Sequence, residues 1–482
     1  MNMSTKHSFL PTTTISRGVQ RQQYSQKWRA STIQCLLLST VLFTLLLWTT
    51  LSLFSLQYGN EDDIASSASL PVENHNIPTP KATIAYAVSL TSCGHAKNGN
   101  DSGGHSSDSS FHEGAAVLKH SIHLASIRNY HQSKSVFDYE MIAFVHPAAE
   151  SCSDIFRSLG YTIQIRDTPF NVTDIKMKFL RENVVKSGCC GEKEYLKLYA
   201  YALLEYPIVV HLDLDSLVLK PLDDLFLAML GTNDNNDDDI ASSGDQGGGN
   251  ATDGAKFSTE VSEARSRIPV MFDNPLPVKS IDAYFTRDYN MINPGHKHVG
   301  VQGGFLVVKP SMEAFHEYVD IVLEGRFIKG AGWDGQYGGF FGAQQIQGIC
   351  LYFYDARHPG TGVELNRCYY NNMADDPRQT SSGMCRDGHD ECQDCRDTPI
   401  EEVKSVHFTL CSKPWKCPSW HPGSILCAKF HYEWFRIRKD LERSLALQNG
   451  VEYKSPNGKY KPEVFHGYCK RSGGGGYIPI GP

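Results

Sequence analysis

Apolar and polar positions divide the chain into stretches of different kinds. From Ala30 to Asn60 no residue is charged, and Ile33–Leu56 within that stretch is rich in leucine. A membrane-crossing helix needs about 20 mostly apolar residues, so the run predicts a transmembrane segment over 31–56. A cleaved signal peptide would have a shorter apolar core of about 7–15 residues. Residues 57–81 are polar, carry Pro71, Pro78 and Pro80, and read as a stem. A globular pattern begins at Ala82 and continues to about 440, leaving 441–482 as a C-terminal extension.

Within that body, short apolar runs alternate with helical patterns. Thr83–Leu90, Phe137–Val145, Tyr161–Ile165, Ile208–Leu212 and Val301–Val308 read as strands. Gly114–Ile127, Glu192–Tyr206 and Gly342–Tyr354 read as helices. In the second of these, Tyr195, Leu198, Tyr199, Ala202 and Leu203 share one face, and Pro207 ends it. The alternation predicts an α/β sheet. No internal repeat is present. Two polar stretches, about 94–110 and 231–264, interrupt the pattern; the second carries eight acids against one lysine and reads as a disordered surface insertion.

Composition removes several classes. A chain of 482 residues with 41% hydrophobic and 21% charged residues is neither a disordered polymer, nor collagen-like, nor a disulfide miniprotein. The net charge of −7 is a sum of unlike parts. Lys6, Arg17, Arg21, Lys27 and Arg29 stand before the apolar run with no acid among them, and Glu61, Asp62 and Asp63 follow it. The positive-inside rule then keeps residues 1–30 cytosolic and sends the C-terminus across, as a type II signal-anchor.

Other features agree with a lumenal body. Asn100, Asn171 and Asn250 head glycosylation sequons. Thirteen of the 14 cysteines lie beyond the apolar run, and seven of them crowd the loop region 360–427: Cys368, Cys385, Cys392, Cys395, Cys411, Cys417 and Cys427. In an oxidising compartment such a cluster reads as disulfides, with the pairing open. Zinc held by Cys385, Cys392 and Cys395 is the other reading.

The chemistry concentrates at Asp213-Leu-Asp215, which follows the apolar run Ile208–Leu212. Ligands of open α/β sheets bind beyond the carboxyl ends of strands. Two carboxylates there suit a hard divalent cation such as Mn²⁺ or Mg²⁺, with positions left for a diphosphate. Apolar Val403 and Val406 precede His407-Phe-Thr-Leu-Cys-Ser-Lys413-Pro-Trp415. His407 can complete a metal shell through a neutral imidazole, and Lys413 can meet a phosphate. Taken singly, a histidine is more often a hydrogen-bonded structural residue and a lysine a solvated cation.

These blocks resemble glycosyltransferase family 8, the glycogenin-like enzymes. The resemblance runs over about 82–440 and rests on four blocks in order. They are Glu113-Gly114-Ala-Ala-Val-Leu118, the segment from Lys197 through Asp213-Leu-Asp215 to Phe226, Gln302-Gly303-Gly304 to Pro310-Ser311, and His407 to Trp415. What the resemblance implies is a GT-A fold: a Rossmann-like mixed sheet flanked by helices, here behind a transmembrane helix. It implies a retaining hexosyltransferase that uses a nucleotide-sugar donor, a UDP-sugar, with Mn²⁺ or Mg²⁺ on the diphosphate. The acceptor would be a hydroxyl of a glycan, glycoprotein or glycolipid, and nucleic acid is not a partner. By the resemblance, Asp213, Asp215 and His407 are metal ligands. Leu90, Thr91, Ser92, Lys197, Gln302, Gly303 and Lys413 bind the donor, and Gln347 stands near the anomeric carbon. The chain departs from the family at Leu410, where a Gly is usual, at Ile346, where an Asp is usual, and at Gln302, where an Asn is usual.

Retention in hydrolases uses a carboxylate nucleophile about 5 Å from the acid. Ile346 offers none, so front-face transfer is expected, with the leaving diphosphate taking the acceptor's proton. The expected location is the Golgi or endoplasmic reticulum membrane. Two rival readings are a lumenal glycosyltransferase-like protein that binds without turnover and a phosphatase of the haloacid dehalogenase type. The second lacks the downstream lysine and acidic pair that such enzymes need.

Overall fold

Strand residues alternate between two apolar layers, and this places the sheet in the middle of the body. Ile84, Tyr86, Val88 and Leu90 face one core with Val210 and Leu212, while Ala85, Ala87 and Val209 face the other. A computed structural model describes residues 78–93, 110–231, 251–271, 280–416 and 424–452. The apolar run 31–56, the cytosolic tail and most of the stem lie outside these residues. Among the described residues no helix is long and apolar enough to cross a membrane.

The sheet has seven strands in the order β10-β6-β7-β4-β1-β2-β3. They are β1 (Thr83–Leu90), β2 (Asp138–Val145), β3 (Thr162–Ile165), β4 (Val209–Leu212), β6 (Ala283–Arg287), β7 (Val301–Val308) and β10 (Gly362–Glu364). β1 pairs in parallel with β2 and β4, as β2 does with β3 and β10 with β6. β7 runs antiparallel to both β4 and β6. The architecture is therefore mixed α/β with a mostly parallel central sheet. Reversal of β7 has one direct effect: its first residues, not its last, lie beside the carboxyl end of β4, where Leu212 pairs with Phe305.

Immediately after β4 the chain turns and forms β5 (Ser216–Val218), which pairs antiparallel with β11 (Ser405–His407). A short hairpin, β8 (Phe327–Ile328) and β9 (Gly332–Trp333), lies apart from the main sheet. β5 and β11 sit over a third core, where Leu217, Val406, Phe408 and Trp415 meet Phe430 and Trp434 of the helix Ile425–Gln448. That helix is clipped to the helix Ser110–Leu124 by Arg438, whose Nε donates to Glu113 at 3.1 Å with both residues buried.

Four expectations change. The segment expected as an α-helix over Glu192–Tyr206 is a 3₁₀ helix, Gly191–Ala202. Tyr195, Leu198 and Tyr201, all buried, recur at the spacing of three that this tighter helix requires, a spacing that a twelve-residue window does not separate from 3.6. The tail of the polar stretch 231–264 is part of a helix, Ala251–Arg267, with Val261 and Ala264 buried and Arg267 paired to Asp224 at 2.9 Å. Net charge over the window had masked its apolar stripe; residues 94–109 and 232–250 lie outside the described residues. The helix expected over Gly342–Tyr354 covers Ile346–Tyr352 and continues as a wider turn through Phe353–Arg357. The boundary expected at 440 falls inside the helix Ile425–Gln448.

In the cysteine-rich region Cys368 bonds Cys395, Cys385 bonds Cys392 and Cys411 bonds Cys427, which removes the zinc reading there; Cys93 bonds Cys152. Asn171 is exposed, while Asn100 and Asn250 lie outside the described residues.

Gly114 lets the first helix approach the β4–β5 turn. A methyl group there would sit 2.5 Å from the Leu214 carbonyl oxygen and 2.8 Å from the Trp415 ring. Gly114→Ala should therefore lower stability by about 1–3 kcal/mol, the usual cost of overpacking. Urea denaturation checks this; an unchanged midpoint would mean that the turn and Trp415 yield freely.

Candidate functional site

Four segments distant in sequence meet where β4 ends. The Asp213 N–H donates to the Gly304 carbonyl at 3.2 Å, and the Phe408 N–H donates to the Asp215 carbonyl at 2.8 Å. These bonds fix the two acids between the start of β7 and the end of β11. Lys197 arrives from the 3₁₀ helix. Its Nζ lies 2.9 Å from Asp213 Oδ1 and 3.0 Å from Glu194 Oε2, and it donates to the Gly303 carbonyl at 3.0 Å. Residues three apart eclipse in a 3₁₀ helix, so Glu194 and Lys197 stack on one line facing the acids.

β11 brings His407, which pairs with Ser216 in the register next to Asp215. Its Nε2 lies 3.4 Å from Asp215 Oδ1, 3.8 Å from Asp213 Oδ2 and 2.8 Å from Thr409 Oγ1. Lys413 donates to Asp215 Oδ2 at 2.5 Å. The Cys411–Cys427 disulfide lies between these two residues and fastens their loop to the C-terminal helix. One ligand atom each from Asp213, Asp215 and His407 fall within 4.8 Å of one another.

This donor set fits a divalent cation. Two carboxylates and one imidazole suit Mn²⁺ or Mg²⁺ and leave the remaining positions for oxygen ligands. The surroundings keep that space clear: a methyl at Gly304 would lie 2.5 Å from His407 Cε1 and 2.9 Å from Asp213 Oδ2.

Burial makes the charges interdependent. It opposes ionisation of Asp213 and Asp215, yet both stay below the usual carboxylate range. Lys197 and then His407 hold Asp213 down, and His407 and then Lys413 hold Asp215 down. Burial likewise opposes the charged form of His407, but Asp215 and then Asp213 raise it overall. Lys197 is raised in the same way, against its burial, by Asp213 and Glu194.

A cavity of about 260 Å³ opens beside the acids. Its lining includes Lys197, Asp213, Asp215, Gln302, Gly303, Gln347, His407 and Lys413, all residues that the sequence singled out. Leu90, Thr91 and Ser92 are not in that lining; Leu90 ends β1, which runs parallel to β4, and Thr91 and Ser92 follow it. Gln347 Oε1 is buried with no hydrogen-bond partner among the described residues. Gln302 turns inward and accepts from the Gly304 N–H at 2.6 Å. Ile346 is buried beneath Gly303 and takes no part in the polar lining. Leu410 is 44% exposed, and the residue of its loop with positive φ is Ser412 at 58°, so a side chain at 410 is accommodated without strain.

Sequence reasoning missed Glu194, Asp288, Gln345 and Cys189, which also line the cavity. The i, i+3 spacing from Lys197 could have revealed Glu194. Asp288 had no local signal. Burial and then Asp375 push its carboxyl up to about 6.

No protein-family model matches the chain, and no curated protein matches its sequence. Solved structures similar to it include mouse xyloside xylosyltransferase 1 in its apo form, at 14% identity over 69% of this chain and 99% of that one, TM-score 0.37. The galactosyltransferase LgtC with donor and acceptor sugar analogues is 14% identical over 72% and 93%, TM-score 0.33. The glycosyltransferase GlyE of Streptococcus pneumoniae is 12% identical over 77% and 66%, TM-score 0.35.

Two outcomes follow. Gly304→Ala should weaken Mn²⁺ binding at least about tenfold, the scale of a disturbed ligand shell, with the fold kept. Calorimetric titration of Mn²⁺ alongside circular dichroism reads both. Asp288, at 3.8 when unperturbed and about 6 when folded, contributes stability that is complete below 3.8 and lost as pH rises through 6. Asp288→Asn should therefore stabilise the protein by roughly 1–3 kcal/mol at pH 8 relative to its effect at pH 4. Equal effects at the two pH values, by urea denaturation, would contradict this.

Proposed function

We propose that the chain is a metal-dependent glycosyltransferase that moves a hexosyl group, with retention, from a UDP-sugar to a hydroxyl acceptor on a glycan, glycoprotein or glycolipid. The observation that carries this reading is the convergence of Asp213, Asp215 and His407 within 4.8 Å, with Lys197 and Lys413 on the two acids. It is the arrangement expected of a site that must hold a diphosphate while negative charge develops on it. Asp213, Asp215 and His407 would hold Mn²⁺, which when bound supplies Lewis-acid neutralisation of the diphosphate.

The chain's own residues divide the remaining work. Lys413, with a side chain 37% exposed, is free to exchange Asp215 for a phosphate oxygen. Lys197 is buried, and by binding Asp213, Glu194 and the Gly303 carbonyl together it fixes the acid and the start of β7 in one geometry. The unsatisfied Gln347 carboxamide oxygen lies in the cavity wall, where it can position the anomeric centre. Ile346 offers no nucleophile, which favours front-face transfer, the leaving diphosphate taking the acceptor's proton.

The same proposal extends to the whole chain: a type II membrane protein of the Golgi, anchored by 31–56. Four disulfides among the described residues and the exposed Asn171 sequon support an oxidising lumen.

The test is titration of the purified protein with UDP and Mn²⁺, followed by a panel of UDP-sugars. UDP should bind in an Mn²⁺-dependent manner. Asp215→Asn should lower transfer by about 10²–10³-fold while the circular dichroism spectrum of the folded protein is retained. Absence of nucleotide diphosphate binding, with or without Mn²⁺, would refute the reading. Binding with neither transfer nor donor hydrolysis would instead identify a protein that binds without turnover.

A further inference from the structure

Beside the cavity, two adjacent thiols are held in contact by a turn built for them. Cys189 and Cys190 are both free, and their sulfurs lie 2.9 Å apart. Gly188 and Gly191 flank them with φ of 58° and 62°, in the left-handed region that favours glycine. Gln345, 1% exposed, clamps the turn from below: its Nε2 donates to the Ser187 carbonyl at 2.8 Å and to the Gly191 carbonyl at 2.7 Å. A side chain at Gly188 would collide with Gln345, and one at Gly191 would lie 2.6 Å from the Val185 carbonyl. The thiols are reachable, since Cys189 is exposed and Cys190 half-buried.

The pair also connects to the metal-ligand cluster. Cys189 lines the cavity, and its Sγ donates to Glu194 Oε1 at 3.2 Å. Glu194 holds Lys197 at 3.0 Å, and Lys197 holds Asp213 at 2.9 Å. On its other side Cys190 meets the side chain of Thr91, at the end of β1.

We propose that Cys189 and Cys190 form a reversible vicinal disulfide, and that its formation weakens donor binding through Glu194 and Lys197. The second half rests on the glycosyltransferase reading; the first does not. The oxidant is a small-molecule disulfide, oxidised glutathione. The Cys190 thiolate attacks one of its sulfurs, breaking that S–S bond and releasing one glutathione thiolate. Cys189 gives up its proton and attacks Cys190 Sγ, releasing the second glutathione. Two protein S–H bonds are replaced by one S–S bond, and the two electrons reduce one glutathione disulfide to two thiols. Cys190 is suited to attack first: the Cys189 proton is committed to Glu194, while the contacts of Cys190 with Cys189 and then Thr91 hold its thiol below the usual value. Adjacent Cα atoms lie about 3.8 Å apart, short of the usual range for a disulfide. Such a bond is strained and readily reduced again. Oxidation removes the Cys189 donor from Glu194, leaving that carboxylate to compete with Asp213 for Lys197 alone.

The experiment takes the full-length protein through a series of glutathione buffers, followed by alkylation and digestion with trypsin. The peptide Ser187–Lys193 carries both thiols and no other cysteine. In oxidising buffer it should be unalkylated and lighter than the dithiol by two hydrogens; in mildly reducing buffer it should be doubly alkylated. The four structural disulfides, mapped in the same digest, should stay closed. Titration with UDP and Mn²⁺ should give a dissociation constant at least about fivefold weaker in the oxidised state, and Cys190→Ser should abolish that redox dependence. A peptide alkylated in every buffer overturns the disulfide. So does one that resists alkylation without the mass loss until a chelator is added, which would reveal a thiolate metal site. A disulfide with unchanged UDP affinity overturns the coupling. Failure of UDP to bind in either state defeats the glycosyltransferase reading and the coupling with it, while the peptide still decides the disulfide.

Discussion

Two carboxylates at the end of a buried strand must be compensated, and the architecture around them follows from that need. Asp213 and Asp215 follow β4, whose four residues are all buried. Charges in such a place are tolerated only when paired and hydrogen-bonded. Compensation comes from Lys197, sixteen residues upstream of Asp213, and from His407 and Lys413, the latter 198 residues beyond Asp215. A chain that commits two acids to this position must also bring a 3₁₀ helix, a reversed strand and a C-terminal loop to the same point. The price of the site is paid in topology.

Three local devices meet that demand. β7 runs against β4, so Gly303 and Gly304 arrive beside Asp213. β5 leaves Asp215 and pairs at once with β11, which carries His407 on its last position. Gly304 and Gly114 carry no side chain where one would strike His407, Asp213, the Leu214 carbonyl or Trp415. Behind these, Arg438 and Glu113 and the Cys411–Cys427 bond hold the C-terminal helix against the first. The loop from His407 to Lys413 is thus anchored at both ends, which suits a segment that must present two charged groups with little freedom.

Bulk charge says little about what this site recognises. The net −7 adds cations ahead of the apolar run to an acid-rich stretch over 231–264. The charges that bear on a substrate are local and nearly balanced: Asp213, Asp215 and Glu194 against Lys197 and Lys413, with His407 able to take either state. A near-neutral cluster of this kind rearranges rather than repels when a cation and a diphosphate enter together. The thiol pair extends the same cluster to the protein surface, through a single carboxylate.

Much of this protein was legible without coordinates, and the boundary of that legibility is physical. Period-two alternation and short apolar runs located β1, β2, β4 and β7 to within a residue, because strand burial is written in adjacent positions. Asp213-x-Asp215 after an apolar run, with His407 and Lys413 far downstream, already marked the residues that meet in the cavity. The 3₁₀ winding of Gly191–Ala202 was not legible, because twelve residues cannot separate a period of three from 3.6. Nor was the helix Ala251–Arg267, whose few buried positions are outweighed by surrounding charge. Disulfide pairing, the raised carboxyl of Asp288 and the clamp of Gln345 on Cys189 and Cys190 depend on contacts between segments distant in sequence. The sequence alone thus located the long apolar strands and marked residues that meet at the end of β4, since both signals are written in neighbouring positions of the chain. Which groups share a proton, a cation or a sulfur bond was decided only by the tertiary fold, because those interactions fall off within a few ångströms and only folding brings the partners that close.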